Sequence, residues 1–340
     1  MRFLSFIYIV TLALFCVGCG GGDSESPPAA STIIVNSLED SSKAPAGTMT
    51  LRAALAAAAS GATITFDQSL DGGVINLTVV ADYHTELKGE VMGMRMEPSG
   101  PVSYLVGYLA RDYGSSGLYA RKDVVIDASN LPNGITIKWN GAEDARVMAI
   151  YGNLTMKNIA ITGGKSVAVD ISATNPDQLW TLGRGGGLAV WGTANLENCT
   201  IYGNSCQGDF GRSRDRGAFG GGLYADIALI KRCVISGNTV LGAGAAGGGV
   251  YSVGGADSSA TYSSVAECAI SGNKISGVYC YGAGVYSDGG GIGNRKTLLL
   301  TNCTIARNLV EPSPFTPADT LGRGYWRGSA AYASNGSVMI

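Results

Sequence analysis

The chain has 340 residues, 51 of them glycine, a formal net charge of −2 and only 15% charged residues. With no basic cluster, this charge excludes nucleic acid as the natural partner. There is one histidine, His84, and no zinc spacing, Ser/His/Asp set or phosphate loop, so the common hydrolase, zinc-enzyme and nucleotide chemistries have no motif to stand on.

Residues 1–18 read as an export signal: Arg2 supplies the positive start, and the apolar run 3–15 is too short to cross a bilayer comfortably. The phrase Cys16-Val17-Gly18-Cys19 resembles a bacterial lipobox, with small Gly18 before the cysteine that would become the lipidated first residue, Cys19. The departure is Cys16, where a branched aliphatic is usual, and the competing reading is an ordinary secretory signal. Two or more acyl chains on Cys19 would hold the protein to a membrane stably. Gly20 lacks an acidic inner-membrane retention signal, so the expected location is the cell envelope, at the outer membrane and facing outward. Residues 19–31 are Gly, Ser, Pro and acid, a flexible tether.

The remainder, 32–340, carries strand signals at Thr32-Ile33-Ile34-Val35 and again from Thr63 to Phe66. Between them an Ala/Leu-rich helix is predicted over 51–59, starting near Thr50 and stopped by Gly61. Residues 83–119 break the pattern and read as an insertion. Strand phrases resume at Val124-Val125-Ile126-Asp127 and from Leu154 to Ile161.

From there one phrase recurs four times, around Cys199, Cys233, Cys268 and Cys303, spaced 34, 35 and 35 residues apart. A period of this size means stacked repeats. Each repeat holds three strand phrases. The first is Gly-Gly-Gly-aliphatic at Leu188, Leu223 and Val250, with the variant Gly282-Ala283-Gly284-Val285. The second ends at Leu196, Ile230, Val265 or Leu300. The third is Cys-x-Ile. Inward parity breaks by one residue at Asn198, Arg232, Glu267 and Asn302, the mark of a tight bend in which Asn tolerates the left-handed conformation. A second polar corner follows at Asn204, Asn238, Asn273 and Asn308, where stacked amides can satisfy one another. Cysteine and isoleucine of the third phrase share a face, so the repeat cysteines are expected as a free internal ladder. Cys206 and Cys280 are expected in loops, unbridged. The last segment, 329–340, starts another repeat and stops before its cysteine, which predicts an incomplete C-terminal coil and leaves open a longer natural product.

These phrases resemble right-handed single-stranded parallel β-helix proteins of the pectin-lyase-like fold, and among them bacterial surface β-helices similar to polymorphic outer-membrane proteins. The resemblance covers most of 32–310 and implies an all-β solenoid whose open end the predicted helix would cap. It also implies that a ligand, where there is one, lies along the first strand face. There Tyr224, Tyr251 and Tyr286 recur, with Asp226 and Asp288 two residues further on and two coils apart, ~10 Å by strand spacing. A tyrosine row can stack on sugar rings, and carboxylates at that separation suit an inverting glycosidase. The plainer reading is a polar strand surface with self-stabilising tyrosines. Arginines enter this face at Arg184, at Arg212, Arg214 and Arg216, and at Arg323. They suit uronate carboxylates, or form a self-neutralised loop with Asp209 and Asp215.

Two functions compete on this basis. One is a lipid-anchored surface β-helix that binds an extracellular polysaccharide or a host or cell-surface ligand, without catalysis and without metal or cofactor. The other is a polysaccharide lyase or glycoside hydrolase acting on an acidic glycan. A third reading is a fragment of a larger adhesin or autotransported passenger.

Overall fold

The computed structural model describes residues 31–43, 45–81, 85–97, 100–112, 114–167, 183–208, 217–253, 262–288, 297–312, 325–334 and 337–339. The signal, Cys19, the tether up to residue 30, His84, Arg212, Arg214, Arg216 and Arg323 lie outside them. Residues from Ser31 to Ile340 form one compact unit.

That unit is nearly all strand, arranged as stacked parallel sheets of 14, 7, 5 and 5 strands, called here sheets 1 to 4. Each strand of a repeat pairs in register with its counterpart in the next repeat. Sheet 1 carries both the Gly-Gly-Gly-aliphatic phrase and the aliphatic that precedes the bend, as in Leu223–Lys231. Sheet 2 carries Cys-x-Ile, as in Val234–Ser236. Two further short strands per repeat, such as Thr239–Leu241 in sheet 3 and Gly244–Ala246 in sheet 4, go beyond the three phrases legible in the sequence. Three residues rich in Gly and Ala carry too short an alternation to read as strand. For the same reason Cys206 and Cys280 sit within strands, Ser205–Gln207 and Tyr279–Tyr281, and not in loops.

The core is built of columns. Ile75, Ile137, Ile161, Ile201, Ile235, Ile270 and Ile305 stand in one register column of sheet 2. Ile64, Ile126, Met156, Leu196, Ile230, Val265 and Leu300 form the facing column of sheet 1. All of these except Ile305 are buried, and each buried aliphatic contributes about 1.5–3 kcal/mol. The cysteines form the adjoining column. The Cys199 N–H donates to Cys233 Sγ and the Cys233 N–H to Cys268 Sγ, both at 3.3 Å, and all six described cysteines are free.

The corners follow the predicted chemistry. Asn198, Arg232, Glu267 and Asn302 have φ of 53°, 53°, 56° and 51°. At the next corner the asparagines form a ladder: Asn204 Nδ2 donates to Asn238 Oδ1 at 3.0 Å, and Asn238 Nδ2 to Asn273 Oδ1 at 2.9 Å. Each amide also donates to a carbonyl of the preceding repeat, Ile161 at 3.2 Å and Ile201 at 2.9 Å.

Helix α1 spans Leu51–Ala57, with Thr50 as N-cap accepting from the Ala53 N–H at 3.1 Å. Its Leu51, Ala54 and Leu55 are buried in the main core. Lys122 donates to the carbonyls of Ala56 and Ala58, fastening the helix C-terminus to the neighbouring repeat. The insertion is an antiparallel hairpin, Thr85–Glu97 with Gly100–Asp112, and is shorter than the 83–119 expected. Residues Ser116–Ala120 already pair within sheet 1, because Leu118 and Ala120 alternate inward.

Candidate functional site

Sheet 4 turns into sheet 1 at the glycine phrase. Gly185, Gly220, Gly247 and Gly282 hold φ of 61°, 73°, 66° and 60°, a conformation that costs other residues energy. The next residue is glycine in three of these phrases and Ala283 in the fourth, and at Gly221 space requires it: a Cβ there would lie 2.5 Å from the Gly248 carbonyl oxygen and 2.6 Å from that of Thr239. This kink lays the last residues of sheet 4 strands against the tyrosines of sheet 1: Phe219 lies 4.8 Å from Tyr251, and Tyr281 lies 6.0 Å from Tyr286. Phe219 and Tyr281 thereby meet Tyr224, Tyr251 and Tyr286, and with Ala246, Trp191, Val253 and Tyr332 they form a hydrophobic cluster separate from the main core.

Tyr224, Tyr251, Tyr286 and Tyr332 occupy one register column. Their rings stack on one another: 5.4 Å and 6° for Tyr224–Tyr251, 5.1 Å and 26° for Tyr251–Tyr286, 5.8 Å and 19° for Tyr286–Tyr332. The predicted row is present, but Tyr224, Tyr251 and Tyr286 are only 4%, 6% and 8% exposed. Their faces are turned to each other along the column. A sugar ring stacks on an aromatic face, and here the faces are already covered.

The row extends beyond the residues singled out in the sequence. Trp191 follows Tyr224 at 6.1 Å, Tyr151 stacks on Trp191 at 4.2 Å and 9°, and Tyr119 meets Tyr151 edge-on at 5.6 Å. Tyr151 and Trp191 were missed because they break the phrase, and Tyr119, which holds the register position, because it reads as part of the 83–119 insertion. The tyrosine register position is alanine at Ala149 and Ala189, and the ring comes two residues later. The pairing of small residue and delayed aromatic, Ala149 with Tyr151 and Ala189 with Trp191, is a legible signal in retrospect.

Charged groups border the seam. The Arg184 guanidinium lies 5.0 Å from the Tyr224 ring centroid, and Arg121 lies 5.6 Å from that of Tyr151. The Tyr251 hydroxyl donates to Asp288 Oδ2 at 3.2 Å. Burial first, and then the Asp288 charge, pushes the Tyr251 phenol well above its ordinary range. Register places Asp226 and Asp288 two strands apart with Val253 between them, as expected: Ala225, Ser252 and Ser287 align just before. Both carboxylates are half-buried. Arg216 lies outside the described residues. Among the described residues no group of three or more His, Cys, Asp or Glu could hold a metal ion, and no helix is long and apolar enough to cross a membrane.

Fold and seam together define a class: repeat proteins of stacked parallel sheets with an aromatic seam outside the main core. Comparison with protein-family models, with curated proteins and with solved structures finds no match.

Proposed function

We propose that this chain is a right-handed, single-stranded parallel β-helix of the pectin-lyase-like kind, capped at one end by α1. In this reading it is lipid-anchored through Cys19, faces outward from the outer membrane, and binds or displays a surface ligand without catalysis. Its partner would be an extracellular polysaccharide or a ligand on another cell.

The observation that carries this reading is where repeat length varies. The corners at Asn198, Arg232, Glu267 and Asn302, and those at Asn204, Asn238, Asn273 and Asn308, have the same length in every repeat. The connections from sheet 3 to sheet 4 do not: they run over 168–182, 208–216, 242–243, 278 and 313–324. Sheet 1 is interrupted after its tyrosines at 253–261 and 289–296. Within the four cysteine repeats, variation thus falls at the two borders of the aromatic seam. Loops of free length on a rigid scaffold are where recognition residues concentrate. The seam between them acts as support, since its ring faces are stacked and the Tyr251 hydroxyl is engaged by Asp288.

Purified protein tested against uronate polymers and cell surfaces is expected to bind. Binding should fall when 208–216 is replaced by a two-residue turn, and no new unsaturated or reducing ends should form. Product formation that Asp226→Ala abolishes would replace this reading with the lyase or hydrolase alternative. Intact-mass analysis of membrane-extracted protein is expected to show acylation at Cys19.

A further inference from the structure

The hairpin Thr85–Glu97 with Gly100–Asp112 pairs continuously from Thr85 opposite Asp112 to Glu97 opposite Gly100. Among the described residues neither strand pairs with any other. Each has 13 residues, a ribbon ~43 Å long at normal strand rise. A two-stranded ribbon is marginal alone, and three or more strands are needed for independent stability.

Its two outer edges differ in sequence. The first strand carries Glu86, Lys88, Glu90, Arg95 and Glu97, and its register shifts between Lys88 and Glu90. Charges and bulges are the devices that guard an edge against pairing. The second strand has no charged residue before Arg111, and it carries the β-favouring residues Val102, Tyr104, Val106 and Tyr108. Its one irregularity leaves Val106 unopposed, and Pro101 has no N–H to give, so the regular, uncharged run is 102–105.

We propose that the outer edge of the second hairpin strand pairs with the same edge of a second copy of this chain. The result is a two-fold dimer through a four-stranded antiparallel sheet. An isologous contact requires a patch that tolerates itself. The run 102–105 meets that condition, because self-pairing sets no charge against a like charge. Pairing through the first strand would instead gather five charges of each copy along one line. The second edge also lacks the charge pattern that would select a foreign peptide.

The test is light scattering on the purified full-length chain across a dilution series. Wild type is expected to be a dimer that dissociates on dilution. The double variant Val102→Lys/Tyr104→Lys should be monomeric, with unchanged far-UV circular dichroism, while Met94→Lys on the first strand should remain dimeric. If the lysine pair unfolds the hairpin, chemical crosslinking decides in a Cys16→Ser/Cys19→Ser/Cys303→Ser background. There Ser103→Cys should link chain to chain through a short bismaleimide and Gly93→Cys should not. A wild type monomeric at every concentration would overturn the proposal. So would a dimer that survives the second-strand lysines, or crosslinking through Gly93→Cys alone.

Discussion

At the residue scale, the glycines of the kink are set by contact with the next repeat. At Gly221 the obstacles to a Cβ are two backbone carbonyl oxygens, at 2.5 Å and 2.6 Å, which cannot rotate away. Gly221→Ala is therefore expected to destabilise by about 1–3 kcal/mol in urea unfolding. Gly237→Asn is expected to cost little: its φ of 62° suits Asn, and only one atom, at 4.0 Å, approaches its Cβ position. The buried thiols supply a pH dependence. Burial pushes Cys206 and Cys280 up from an ordinary 9.0 to about 12. Above pH 9 the unfolded chain loses these protons and the folded chain keeps them. The associated stability is complete below pH 9 and is lost as pH rises toward 12. Cys280→Ala should flatten the fall in melting temperature over that window. An unchanged profile would count against the burial of this thiol. At this scale the sequence was most legible at the corners. Asn198 and Asn302 announce a left-handed bend by their type, whereas Arg232 and Glu267 were found only because the inward parity skipped a residue there.

Single residues gain weight at the element scale because each repeats in a column. Asn238 holds the middle of the amide ladder: its Oδ1 accepts from the Asn204 N–H at 3.1 Å and from Asn204 Nδ2 at 3.0 Å, and its Nδ2 donates to Asn273 and Ile201. Asn238→Ala leaves buried donors and acceptors on two neighbouring repeats unmatched. The expected cost is about 3 kcal/mol in chemical denaturation. The cysteine column makes a second, graded prediction. Cys199, Cys233 and Cys268 are 1%, 1% and 3% exposed, while Cys303 is half-buried beside a cavity of ≈ 620 Å³ lined by Leu300, Ile305 and Ala331. Native-state thiol labelling should modify Cys303 first and leave the other three protected. Even labelling of all four would overturn the column. The sequence supports an interior ladder through shared parity, but it treats the four cysteines alike. The difference at Cys303 depends on what lies over the last described strand of sheet 2.

At the scale of the whole molecule, constant corners carry the stack and variable connections decorate it. Replacing 208–216 by a short Gly-Ala link, as stands at 242–243, should change the unfolding free energy by only about 1 kcal/mol, since loop closure varies slowly with length. Removing Asn204 and its corner should abolish cooperative melting. A large loss of stability from the loop replacement would assign that connection to the scaffold. The sequence by itself determined the period, the strands of sheets 1 and 2, the left-handed corners, the amide and thiol columns and the cap at Thr50. Each of these is fixed by residue type and parity within a few positions of chain. The tertiary structure decided the rest: the two short strands of sheets 3 and 4, the inward placement of Cys206 and Cys280, and above all the state of the tyrosine face. Outward parity made Tyr224, Tyr251 and Tyr286 look available. Only the kink that folds sheet 4 toward them, and the 5.1–5.4 Å stacking of each ring on the next, turned that face into a second core. Burial of an outward-facing residue depends on what another part of the chain lays over it, and no local pattern encodes that.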